Sequence, residues 1–228
     1  MSTGLASPRV SINQLATYLV ATPAQRRRII HTAKTPPTFV VNWYDFARKA
    51  INQFVSGGMT DESILVNESI RLYGQTPASD HEETRLRTNA EALDAFLDCY
   101  DQIDLPGHSI QLGPYSSSPL IVQGVEISVR PEFLTAGTHR EQSVCGGVKL
   151  YFSKDDPLTN VSAPYITAVL MQHIQTCHQP AGHATRYDLC LVVDVFARRI
   201  HTAPRAITRR FQDIDVACQE VALWWPNV

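Results

Sequence analysis

The chain changes its hydrophobic period partway along, and that change limits its fold more than any other feature. Up to about residue 103 the apolar residues recur at three- and four-residue spacing. From about residue 119 they alternate, and the alternating runs are then interleaved with helical ones. A period near 3.6 marks helices with one buried face, and a period of 2 marks strands.

The helical part reads as several short helices. Ser11 is placed to cap a helix carrying Ile12, Leu15, Ala16 and Leu19. Thr22-Pro23 is a second start signal, and Pro36-Pro37 a break. Asn42 to Val55 resumes the pattern with Trp43, Phe46, Ala47, Ala50 and Phe54, and Gly57-Gly58 ends it. Thr60 is expected to cap the next helix, which runs to Tyr73. A polar stretch, residues 74–83, leads into a long helix from Glu83 to Ile103, closed by Pro106-Gly107. The expected organisation is a helical N-terminal region, 1–80, followed by an α/β core, 81–228.

In that core, Pro119 to Leu134 and Val144 to Ser153 read as strands, Pro164 to Thr176 as a helix, Asp188 to Thr202 as a strand and Arg205 to Trp225 as a helix. A strand, a crossover helix and another strand build a sheet with helices on its faces. The fold class expected is therefore α/β, a mixed β-sheet flanked by helices.

Apolar residues at 44% and charged residues at 18% are enough for a sizeable core and argue against general disorder. A net charge of −2 excludes coating of nucleic acid by bulk charge, but leaves room for a local basic groove. Cys99, Cys145, Cys177, Cys190 and Cys218 are odd in number and scattered, as free thiols are in a reducing compartment. Met1 to Pro8 lacks the pattern of a secretory signal, and no run reaches the roughly 18 apolar residues of a membrane span. A cytoplasmic location without a membrane partner is the expectation.

The strand Val125 to Phe133 puts Val125, Ile127 and Val129 on one side and Glu126, Ser128, Arg130 and Glu132 on the other. In the next strand Lys149 alternates with Val148 and Leu150. If the two strands are neighbours, Glu132 and Lys149 share a face. Pro131-Glu132 followed by Lys149 two residues after Gly147 resembles the PD-(D/E)XK nuclease superfamily, with its restriction-endonuclease-like core of helix, three strands, helix, strand. The resemblance covers about residues 85–205 and implies a hydrolase acting on DNA or RNA, with a role in defence or mobile-element biology. It implies Glu132 as a Mg²⁺ ligand and Lys149 as the catalytic lysine; Glu126 is the substitute second ligand and third catalytic group. Such a metal would polarise a phosphate and activate a water. The departure is Gly147, which stands where the family has its second acid. Glu91, Asp94 and Asp98 are further substitutes on the preceding helix. Without one, the fold serves binding alone, and Glu132 with Lys149 is only a cross-strand ion pair.

Other groups are weaker. His173, Cys177, His178 and His183 include one pair at the spacing of two metal ligands, but no second pair completes a zinc set. Arg26, Arg27 and Arg28, Arg130, and Arg198 with Arg199 are candidate phosphate contacts; Arg205, Arg209 and Arg210 read better as a solvated helix face. Trp225 keeps helical spacing with Val221 and reads as core, and Asp194 lies inside an apolar strand. No nucleophile elbow, phosphate loop or dinucleotide-binding glycine motif is present. Two function classes follow: a metal-dependent nuclease-like protein acting on nucleic acid, or a non-catalytic scaffold with a protein partner or a second copy of itself.

Overall fold

The computed structural model describes residues 5–36, 42–105 and 107–228. Pro37 and Pro106, two of the expected breakers, lie outside them, as do residues 1–4. In chain order the elements are β1 (Arg9–Ser11), α1 (Ile12–Val20), α2 (Pro23–Lys34), α3 (Asp45–Ser56), α4 (Ser63–Gly74) and α5 (Asp80–Leu97). Then come β2 (Ser109–Leu112), β3 (Leu120–Val122), β4 (Val125–Ser128), β5 (Phe133–His139), β6 (Gln142–Tyr151), α6 (Ala163–His173), β7 (Ala184–Asp194), β8 (Arg199–Thr202) and α7 (Thr208–Trp224). The fold is mixed α/β, as its periodicity implies.

The helix starts follow local chemistry. Ser11 accepts from the Gln14 amide while its own amide donates to Gln14 Oε1, satisfying two amides that α1 cannot pair itself. Thr22 N–H donates to Gln25 Oε1 and Pro23 opens α2. Thr60 does not cap α4. Asp61 does that work, accepting from the Ser63 amide, and α4 starts three residues beyond Thr60.

The strands form two mixed sheets. The larger has the order β2-β5-β6-β7-β8, with β6 and β7 parallel across the α6 crossover and every other pair antiparallel. The smaller is β1-β4-β3, with β1 parallel to β4. Helices cover both faces of the larger sheet. Phe133, Val148, Leu150, Leu191 and Val193 pack with α3, α4 and α5. Cys145, Tyr151, Cys190 and Val192 pack with α1, α2, α6, α7 and the smaller sheet. Burial on both sides explains why β7 reads as an unbroken apolar run. Residues before position 80 thus contribute to both cores.

The expected strand Val125 to Phe133 is not one strand. β4 ends at Ser128, and Val129 to Glu132 carries the chain from the smaller sheet to the larger. Pro131 has no N–H for a ladder, so a break there is physically natural. The run before it also divides, because Gln123 (φ 49°) and Gly124 (φ 76°) turn β3 back onto β4. The run from Asp188 to Thr202 is likewise a hairpin, β7 and β8, folded at Val195 to Arg198. β1 and β2, at three and four residues, are too short to alternate visibly in sequence.

Candidate anion-binding site

Glu132 stands at the entry to β5, in the crossing segment. Its amide donates to Val148 O at 2.9 Å, so the register of β5 on β6 continues through it and sets it across from Lys149. Its carboxylate is almost fully buried, and its partners are groups other than that lysine. One oxygen accepts from the Leu150 amide at 2.7 Å, and the other forms an ion pair with Arg48 of α3. Glu132 therefore ties α3 to the sheet and stands in for a missing strand partner of β6. The backbone amide satisfies one carboxylate oxygen, and the guanidinium balances the buried charge. The neighbouring backbone closes over it: Gly113 donates to Glu132 O at 2.7 Å, and a Cβ at 113 would lie 2.1 Å from Pro131 O, so only glycine fits there.

Gly147 stands where the nuclease pattern has an acid, and the structure gives it a packing reason. A Cβ there would meet Ile174 Cδ1 at 2.6 Å and Phe133 O at 3.2 Å. The room a carboxylate would need is filled by the isoleucine that follows α6.

Lys149 is the unusual residue. It is 7% exposed, yet among the described residues no hydrogen bond or ion pair reaches its ammonium. Burial pulls its pKa down to about 7, and the nearby charges of Arg48 and Arg130 push the same way. Arg48 is itself lowered to about 10 by burial, with Arg130 contributing. Three cations, Lys149, Arg48 and Arg130, thus share a neighbourhood in which Glu132 is paired with Arg48.

A cavity opens beside them. Lys149, Arg130 and Arg9 line a space of about 310 Å³, with Ser116, Ser117 and Ser128 adding hydroxyls. A second, wider space of about 790 Å³ carries Arg48, Lys49 and Arg85, with Asp45 the one acid among its lining residues. Arg130 and Tyr115 line both, so the two spaces meet there. Ser117 is fixed from behind, its Oγ 2.9 Å from His178 Nε2 and 3.1 Å from His173 Nε2. Both histidines have pKa values lowered by burial, and His173 Nε2 also contacts Ser118 O at 3.0 Å. The His173 and Cys177 neighbourhood thus anchors the cavity wall.

Of the residues the sequence singled out, Glu132, Lys149 and Arg130 come together here. Glu126 does not: it lies on β4 in the smaller sheet and faces Arg9 at 3.9 Å. Glu91 pairs with Lys154, Asp94 accepts from Ser69 and Tyr73, and Asp98 pairs with Arg198. Arg26 pairs with Glu220, Arg27 stacks on Trp224, and Arg28 and Arg199 are exposed elsewhere. Asp194 is fully buried; burial raises its pKa, and it accepts from the Leu158 and Ala197 amides, holding two loops. Arg48 was not anticipated. Its signal was available, since it keeps helical spacing with buried Ile51 and Val55 on α3. Arg9 and Tyr115 had no comparable pattern.

The Mg²⁺ that the nuclease resemblance implies does not fit these residues. Glu132 has one oxygen on the Leu150 amide and the other against Arg48, position 147 offers no side-chain oxygen, and Glu126 belongs to another sheet. Among the described residues no cluster of three or more His, Cys, Asp or Glu could hold a metal, and no helix is long and apolar enough to cross a membrane. Compared with known proteins, the chain matches no family model and no curated protein.

Proposed function

We propose that this chain binds nucleic-acid phosphates through the Lys149 cavity, on a core related to the PD-(D/E)XK nucleases whose metal-binding half is lost. Leaving aside β3 and β4, which join the smaller sheet, the order α5–β2–β5–β6–α6–β7 supports the relationship, being the helix, three strands, helix and strand that the resemblance implies. Pro131-Glu132 at the entry to β5 and Lys149 on β6 support it further. One observation carries the binding reading: a buried lysine with no ion-pair partner among the described residues, near two arginines, at the wall of an open cavity. Phosphate supplies the missing negative charge, and the serine hydroxyls supply further hydrogen bonds to its oxygens. In such a site Glu132 positions Arg48 and touches no ligand.

The test is binding of labelled oligonucleotides at several salt concentrations by wild type, Lys149→Met and Arg130→Ala. Each variant is expected to bind more weakly and to lose roughly one unit of salt slope per cation removed. Added Mg²⁺ is expected to produce no cleavage. Unchanged affinity and slope in two folded variants would remove the reading.

A further inference from the structure

The junction of the two cavities is marked by an aromatic ring. Tyr115, which lines both, is 84% exposed. It follows β2 in the connection to β3, beside Ser116 and Ser117. The guanidinium of Arg130 lies over the ring, 4.4 Å from its centroid. One face of the ring is therefore held by a cation, and its high exposure leaves the opposite face to solvent. Arg9 and Lys149 line one of the two cavities that meet at this ring, and Arg48 and Lys49 line the other.

Basic residues on both sides of an open, pinned aromatic match the chemistry of a single strand. Its backbone presents successive phosphates to the cations, while an unstacked base offers a π-face to the ring. A duplex offers the same phosphates, but its base faces are already stacked within the helix. We infer that Tyr115 is a stacking platform for an unpaired base, so that the preferred ligand is single-stranded nucleic acid. This inference rests on the phosphate-binding reading above. Arg130 has two roles in it: one edge meets phosphate and its plane stiffens the tyrosine.

The probes are a fluorescein-labelled single-stranded DNA oligonucleotide of mixed sequence, the matching RNA, the DNA duplex, and the DNA strand with an abasic run at its centre. Anisotropy titrations compare wild type, Tyr115→Ala and Tyr115→Phe. Wild type is expected to bind the single strands more tightly than the duplex, and the DNA and RNA arms show which sugar is favoured. Tyr115→Ala is expected to lose about tenfold on single strands with an unchanged salt slope, and Tyr115→Phe to retain affinity. The abasic strand is expected to bind wild type and Tyr115→Ala equally. Salt-dependent binding that ignores Tyr115→Ala, or a loss equal on normal and abasic strands, overturns the platform and leaves the phosphate reading standing. No binding to any probe at low salt overturns both.

Discussion

Two corners of the molecule use lysine in opposite ways. At the α2 end, Lys34 Nζ donates to Trp225 O at 2.7 Å and to Val228 O at 2.8 Å. Around it, Trp225 Nε1 donates to Leu5 O, and Arg26 pairs with Glu220 at 3.0 Å. The polar groups there answer one another, and the result is a clasp between chain segments. At the sheet, Lys149 is more deeply buried and has no protein partner among the described residues. A buried charge without compensation costs free energy, and proteins carry such costs where a ligand later repays them. The contrast separates a cation tied to carbonyls that hold the fold from one that has no protein partner among the described residues.

The sharpest way to break this comparison is to remove Glu132, the carboxylate set across from Lys149 and paired with Arg48. Glu132→Gln keeps an oxygen for the Leu150 amide but leaves Arg48 buried without its anion. A loss of about 3 kcal/mol in unfolding free energy is expected, measured by urea titration. Arg48→Met in the same background should restore part of it, because the stranded charge is then gone. If Glu132→Gln were neutral, Glu132 would be free to serve as a ligand, and the assignment of Arg48 as its fixed partner would fail.

Next in size is Gly147→Asp, which restores the acid of the nuclease pattern. Its Cβ meets Ile174, so a loss of about 2 kcal/mol is expected, reduced when Ile174→Ala makes room. Neither variant is expected to gain Mg²⁺-dependent cleavage, since Glu132 remains tied to Arg48. Cleavage by the double variant would show that only the acid at 147 is wanting.

How far the sequence showed this site depends on which contacts are local. β6 alternates through Val148, Lys149 and Leu150, so the lysine's place on a strand was legible, and Pro131-Glu132 marked the entry of its neighbour. The assembly of one strand from Val125 to Phe133 failed because alternation persists across a segment that changes sheets; period alone carries no information on which sheet a residue joins. That error placed Glu126 beside Glu132. The roles of Arg48 and Tyr115 were not legible, for different reasons, although the spacing of Arg48 put it on the buried face of α3. The first acts through a tertiary contact between α3 and β5. The second lies in a polar connection with no period at all.

Lys149→Met should move stability the other way from Glu132→Gln. Replacing a buried ammonium that has no partner among the described residues by an apolar chain of similar length is expected to raise stability by about 1 kcal/mol near neutral pH while weakening oligonucleotide binding. The pH dependence follows from the same imbalance. Folded, this lysine titrates at about 7, against an ordinary value of 10.5. Between those values the unfolded chain carries a proton that the folded protein does not, so the group's contribution to stability grows as pH rises and is lost as pH falls through 7. Anion affinity runs opposite, falling as pH rises through 7. Lys149→Arg, which stays charged, should flatten the affinity profile there. A profile identical in wild type and Lys149→Arg would mean that another group titrates.

The smallest effect completes the contrast. Lys34→Met removes hydrogen bonds from an ammonium to two carbonyls in a half-buried place, and the carbonyls stay near enough to water to be partly satisfied. The expected loss is about 1 kcal/mol by thermal or chemical unfolding, with oligonucleotide affinity and its salt slope unchanged. Two substitutions of the same chemistry would then differ in both readouts: at 34 stability falls and binding holds, whereas at 149 stability rises and binding falls. If Lys34→Met weakened binding as much as Lys149→Met does, the affinity would come from net charge spread over the surface. The cavity would then have no special claim on the phosphate, because the loss of any one cation would count the same.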